Sequence, residues 1–260
     1  MRIVIKIGTS TLAYPGGRLN IRHTEELVKT FSDLKNAGHE IILVSSGAIG
    51  MGAGKLQIAR PADMPTKQAA ASVGQCELMY TYDKLFSEYG HVVAQVLLSG
   101  DDIHDPQRST NVKSTIQRLL ELHALPILNE NDAVSTEEIG EHTTIGENDT
   151  LAAQVAVTMG ADLLVILSDI NGLYTADPHT HPEATLITEI PSLTQEIWAL
   201  AGGASSKLGT GGMTSKLQAA ALCTPAGCDM VITNGSQPER LYDIAEGKPV
   251  GSRFRAVKKG

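Results

Sequence analysis

At 260 residues the chain is long enough for one large α/β domain or two small ones, with a substantial core. Aromatic residues make up only 4%, so that core must rest on Leu, Ile, Val and Ala. The 21 Lys and Arg against 29 Asp and Glu leave a net charge of −8, which disfavours nucleic acid and anionic membrane surfaces as partners.

In chain order, "RIVIKI" is a β-branched run suited to a strand buried on both faces. "RHTEELVKTFSDLKNAG" follows, with Leu27, Phe31 and Leu34 at helical spacing and Gly38 as a C-terminal stop. "EIILVSSG" is a second strand, followed by "AIGMGAG" and a long helical region from about Met64 to Tyr89. Strand "HVVAQVLL", a helix around "VKSTIQRLLELHA" and strand "LPILN" come next. Beyond an acidic segment lie helix "DTLAAQVAVTMGA", strand "DLLVILSD", helices "LTQEIWALAG" and "TSKLQAAALCTPAG", and strand "DMVITNG". This β-α alternation predicts an α/β fold, a three-layer αβα sandwich with a mostly parallel central sheet. Ligands of such sheets bind at the carboxyl ends of the strands. Small or polar residues gather there: Gly8-Thr9-Ser10, Ser45-Ser46-Gly47, Asn129 to Asp132, and Ser168-Asp169.

Cys76, Cys223 and Cys228 are too few for a disulfide framework and form no CxxC pair, so they read as reduced, buried thiols. The apolar N-terminal run is too short for a signal peptide, and no stretch approaches the roughly 18 apolar residues of a membrane span. The expected location is the cytoplasm. His179 and His181 have the alternate spacing of metal ligands but sit in a Pro-flanked turn with no evident third ligand, and "GDDIHDP" reads as a solvated acidic turn. No metal site made by protein side chains is expected.

Lys6 lies inside an apolar strand, an expensive place unless its ammonium is paired or reaches a site. With the N–H groups of Gly8 and Thr9 beside it, it is a candidate anion ligand. "LVSSGAIG" joins a strand to a helix through small residues, and Ser46 is either a helix cap or part of an anion site. "GTGGMTSK", from Gly209 to Lys216, breaks both the Walker A pattern and GxGxxG. It still offers flexible backbone donors, the hydroxyls of Thr210 and Thr214, and a lysine opening a helix, a set suited to a polyphosphate. In "NENDAVSTEEIGEHTTIGEND" the pair Asn-Asp occurs twice, as Asn131-Asp132 and Asn148-Asp149.

Six segments in order, "KIGTS", "SSGAIG", "NENDAV", "GENDTLAA", "SDINGLYTADP" and "GTGGMTSKLQAA", resemble the amino acid kinase family over nearly the whole length. Within it they are most similar to the branch that moves the γ-phosphoryl of ATP to the γ-carboxylate of L-glutamate, the first step toward proline. The resemblance implies a single domain over 1–260, with about 1–150 as the substrate-binding half and about 151–260 as the nucleotide-binding half. It implies that Lys6 and Lys216 contact phosphate and that Asp149 holds the two lysines in place. Ser46, Asp132 and Asn148 would contact glutamate, with Gly47, Asn129 and Asn131 supporting them. Gly8, Ser168, Asp169 and the run Thr210, Gly211, Gly212, Met213, Thr214, Ser215 would surround the nucleotide. Ser168 and Ser45 stand where the family more often has Thr, which keeps the hydroxyl. Glu137, Glu138 and Glu141 read as solvated.

The resemblance further implies Mg²⁺ as cofactor, a homo-oligomer (dimer or tetramer) and feedback inhibition by L-proline. It also implies a short form, without the C-terminal PUA domain that many members carry. A carboxylate acceptor is already ionised at neutral pH, so the reaction needs no general base. The rival acceptors are acetylglutamate, aspartate, carbamate and uridylate, since fold alone does not choose among them. "NENDAV" with "GEND" offers a carboxylate for a free α-ammonium, which acetylglutamate lacks. A nicotinamide-dependent dehydrogenase lacks support because no GxGxxG follows the first strand. A non-catalytic amino acid sensor is disfavoured by the presence of both lysines.

Overall fold

The computed structural model describes residues 1–59, 61–134, 148–178, 180–201 and 212–257. Strand β1 (Arg2–Ile7) leads into a short helix α1 (Thr9–Leu12) and then α2 (Ile21–Asn36), whose start is capped by Asn20 accepting from the His23 N–H. That helix buries Leu27, Phe31 and Leu34, the periodic face seen in the sequence. β2 (Glu40–Ser45) is followed by α3 (Ala48–Leu56) and α4 (Met64–Ser87), the latter capped by Asp63. β3 (Val93–Leu98), α5 (Gly100–His104), α6 (Pro106–Glu121) and β4 (Leu125–Glu130) come next. Then follow α7 (Asn148–Met159), β5 (Leu163–Ser168), β6 (Glu189–Ile190), α8 (Gln195–Ala201) and α9 (Met213–Cys223). β7 (Asp229–Asn234), α10 (Arg240–Ala245) and β8 (Ser252–Phe254) complete the described elements.

The contacts divide the chain into two compact units, Ile7–Ile145 and Met1–Lys6 with Gly146–Gly260. In the first, the strands run β3-β4-β2 and all are parallel, with Val93 opposite Leu125 and Leu43 opposite Ile127. α3 and α4 meet there backbone to backbone. A Cβ on Gly52 would lie 1.8 Å from the Ala70 carbonyl oxygen, and one on Gly74 would lie 1.7 Å from that of Ala48. Glycine at both positions is a packing requirement, since any side chain would wedge the helices apart.

In the second unit the order is β1-β5-β7-β8-β6. β5 is parallel to β7, and β6 to β8, while β7 and β8 are antiparallel. The fold is therefore α/β with mostly parallel strands, as the alternation predicts. β5 and β7 are the continuously apolar runs expected of strands covered on both faces, and their cores are fully buried.

Several local expectations are corrected. β3 is not buried on both faces: most of its residues are half-exposed, because it ends the strand order with only β4 beside it. "GDDIHDP" is not a simple turn, since the Ser99 N–H donates to Asp102 Oδ2 at 2.8 Å and starts α5. Cys223 and Cys228 are buried thiols, but Cys76 is exposed on α4. β6, β8, α1 and α10 are two to six residues long, too short for periodicity to reveal.

Candidate active site

β1 buries Ile3, Val4, Ile5 and Ile7 and leaves Lys6 with a side chain only 11% exposed. Lys6 Nζ lies 2.7 Å from Asp149 Oδ1, and Lys216 Nζ lies 3.1 Å from Asp149 Oδ2. The carboxylate that both lysines share is 1% exposed, and Lys216 is 5% exposed. Asp149 sits in the first turn of α7, where the helix dipole favours a negative charge. Lys216 sits near the start of α9, where the same dipole disfavours a cation. The packing of α7 against α9 brings the compensating carboxylate to it.

Burial by itself pushes the Asp149 carboxyl up, but the charges of Lys6 and Lys216 and their hydrogen bonds outweigh that. The group is held below the usual carboxylate range. Ser215 Oγ lies 3.0 Å from Asp149 Oδ2 and 2.8 Å from the Gly212 carbonyl, so its one hydrogen is shared between two acceptors. Two cations on one anion make a cluster that is positive on balance, which is suited to phosphate. Gly212 caps α9, Met213 is half-buried and Thr214 is exposed at its start. Thr210 and Gly211 lie outside the described residues, as do His179, Glu137, Glu138 and Glu141.

In the same unit, Ser168 ends β5 and donates its hydroxyl to Asp169 Oδ1 at 3.1 Å. Asn234 is paired in register with Ser168 and donates from Nδ2 to the Asp169 carbonyl at 3.4 Å. The Gly235 N–H donates to the Ser168 carbonyl at 2.8 Å. Asn234, which the sequence reading did not single out, is part of this polar strand end. The signal was available, because "DMVITNG" is a strand whose carboxyl end is Asn234. Asn148 opens α7, half-buried, next to Asp149.

The unit Ile7–Ile145 holds the remaining candidates. Gly47 has φ 109°, the left-handed conformation that glycine permits, and turns the chain from β2 into α3. The Ser46 N–H donates to the Ile7 carbonyl at 3.0 Å, which brings the Gly8 turn to the end of β2. Ser45 and Tyr82 are fully buried and share a hydrogen bond of 2.9 Å. Gly8 caps α1.

At the end of β4, Asn129 is 2% exposed, with Nδ2 donating to Gln75 Oε1 at 2.9 Å. The Asn131 N–H donates to the Leu98 carbonyl and carries the chain to Asp132. Asp132 is half-buried on the wall of a cavity of about 350 Å³, which Gln75, Cys76 and Glu130 also line. Burial pushes its carboxyl up to about 6. A carboxylate whose charge is disfavoured by burial gains from a cationic partner, since an ammonium stabilises the ionised form.

Residues 1–234 match the model of the amino acid kinase family. The chain belongs to the amino acid kinase family. Among its relatives, the glutamate 5-kinase of Listeria innocua serovar 6a is 52% identical over 258 residues, covering 99% of this chain and 94% of that protein. The glutamate 5-kinase of Clostridium tetani is 49% identical over 257 residues, covering 98% and 95%. Among solved structures, the carbamate kinase from Giardia lamblia bound to AMP-PNP superposes with a TM-score of 0.69 at 19% identity, covering 98% of each chain. The T. acidophilum isopentenyl phosphate kinase product complex gives 0.65 at 19% identity, covering 98% of this chain and 100% of that one. These two likenesses establish the amino acid kinase fold and nothing about the acceptor.

Proposed function

We propose that this amino acid kinase transfers the γ-phosphoryl of ATP to the γ-carboxylate of L-glutamate, giving L-glutamyl 5-phosphate for proline biosynthesis. The observation that carries the reading is the buried carboxylate of Asp149 between Lys6 and Lys216. Half-identity to glutamate 5-kinases along nearly the whole chain supports the acceptor.

In the reaction a carboxylate oxygen of glutamate forms a bond to the γ-phosphorus, the bond from that phosphorus to the β–γ bridging oxygen breaks, and ADP leaves. The acceptor is already an anion, so no proton has to be removed. The barrier is its repulsion from the polyphosphate, and catalysis consists of neutralising charge and aligning the reactants. Lys6 and Lys216 supply the positive charge, and Asp149 keeps both ammonium groups fixed beside one another. Ser215, and by proposal Thr210 to Thr214, complete the phosphate loop, while Ser168, Asp169 and Gly8 border the nucleotide. Asp132 receives the α-ammonium, and Ser46, Gly47, Asn129 and Asn148 orient the amino acid. On this reading residues 1–150 mainly serve the amino acid and 151–260 the nucleotide.

Among the described residues no group of three or more His, Cys, Asp or Glu side chains could hold a metal by itself. Mg²⁺ entering with the nucleotide would neutralise phosphate charge. No described helix is long and apolar enough to cross a membrane. A cytoplasmic homo-oligomer inhibited by L-proline completes the proposal, and activity unchanged by millimolar L-proline would remove that last element.

The test is ADP release from MgATP with L-glutamate, L-aspartate, N-acetylglutamate and UMP side by side, with hydroxylamine present to trap an acyl phosphate. Hydroxamate formed from glutamate alone is the expected result. Turnover with another acceptor overturns the substrate, and a folded, ATP-binding protein silent with all four overturns the reaction.

A further inference from the structure

The side-chain amides of Asn129 and of Gln75, which lines the Asp132 cavity, have their orientation dictated by the backbone. The Glu130 N–H donates to Asn129 Oδ1 at 2.9 Å, which settles which end of that side chain is oxygen. Asn129 Nδ2 must then be the donor to Gln75, and Gln75 must present Oε1 to it. Gln75 Nε2, with two hydrogens, is left without a partner among the described residues. Its side chain lines the cavity together with Asp132, and Nε2 is not among the sealed, unpaired polar atoms. The helix bearing it is immobilised at the preceding residue, where Gly74 meets the backbone of Ala48.

We infer that Gln75 is a substrate-binding residue whose Nε2 donates to the α-carboxylate of the amino acid whose ammonium pairs with Asp132. This rests on the glutamate reading above and extends it to the α-carboxylate. On that reading the γ-carboxylate is the phosphoryl acceptor and the ammonium lies on Asp132. The α-carboxylate shares its carbon with the ammonium, so it is the end that meets the cavity wall. No Lys or Arg is among the described lining residues, and Glu130 stands beside Asp132, so the carboxylate needs neutral N–H donors. Gln75 is such a donor, with its orientation already set before the ligand arrives. The arrangement recognises a free amino acid by both of its α-substituents and penalises one whose carboxyl is an amide.

Two variants separate donation to substrate from support of Asn129. Gln75→Met removes both functions, whereas Gln75→Glu still accepts from Asn129 Nδ2 but cannot donate and repels a carboxylate. Both are expected to raise the KM for L-glutamate by roughly 10- to 100-fold, Gln75→Glu more, with the KM for ATP unchanged. Gln75→Glu should also lose selectivity for L-glutamate over its α-amide, whose N–H can donate to the new carboxylate.

A Gln75→Glu enzyme with the wild-type KM and selectivity overturns the inference, whether or not Gln75→Met is impaired. In the unmodified protein, L-glutamate should protect the exposed Cys76 from alkylation, and full-rate alkylation at saturating glutamate overturns the inference even if neither variant folds. Failure of the glutamate reading itself shows separately, as wild-type protein that forms no glutamyl hydroxamate.

Discussion

Replacing Asp149 by Asn keeps the shape of the side chain and removes the charge that two buried lysines share. Lys6 and Lys216 are 11% and 5% exposed, so water can replace little of what they lose. Removing one partner of a buried ion pair costs about 3–5 kcal/mol. For a chain of this size each kcal/mol lowers Tm by about 2–4 °C, so the variant should melt roughly 6–20 °C below wild type. Turnover should fall by about 10²–10³, the loss found when a fixed electrostatic partner is removed from a reacting centre.

The folded carboxyl of Asp149 is held below its ordinary value, so its contribution is fully present at neutral pH and is lost as pH falls through that depressed range. The stability gap between wild type and variant should therefore narrow toward low pH. Thermal melts across pH 3–8, with ADP release on the same samples, measure both quantities. A variant within about 0.5 kcal/mol of wild type, with unchanged turnover, refutes the account of Asp149 as the holder of the lysines.

Asp132 works in the opposite direction. Its folded carboxyl is raised to about 6, so it opposes folding once ionised, and the stability it permits is fullest below the ordinary carboxylate pKa and lost as pH rises through about 6. Asp132→Asn should accordingly be more stable than wild type at pH 8, by on the order of 1–3 kcal/mol in urea unfolding, while binding glutamate poorly. In the wild type the KM for glutamate should rise about tenfold near pH 5, where about nine-tenths of the free carboxyl is protonated, and a flat profile would count against the ammonium pair. Gly74→Ala, with a Cβ 1.7 Å from the Ala48 oxygen, should cost at least about 3 kcal/mol in urea unfolding. Gly38→Ala meets nothing within 4 Å and carries only the strain of φ +92°, so its loss should stay near 1–2 kcal/mol.

The element order was legible because period and composition are local. The apolar runs of β1, β2, β4, β5 and β7 and the 3.6-residue face of α2 are written in consecutive residues. So were the strand ends bearing small or polar groups, and the expense of Lys6 inside an apolar run. The role implied for Asp149 came from resemblance, since nothing in "GEND" by itself points to lysines at positions 6 and 216.

That convergence depends on α7 packing against α9 and on β1 lying in the same unit, contacts between residues far apart in sequence. The same is true of the antiparallel β8, the half-exposed β3, the open face of Cys76 and the hydrogen bond from Asn129 to Gln75, 54 residues away. Which strand lies at an edge, and which amide end faces a cavity, is set by neighbours that local pattern does not specify. The sequence alone determined the longer helices and strands and which residue types stand at their ends, and tertiary packing decided the short elements and which of those residues meet, because burial and charge pairing act through space.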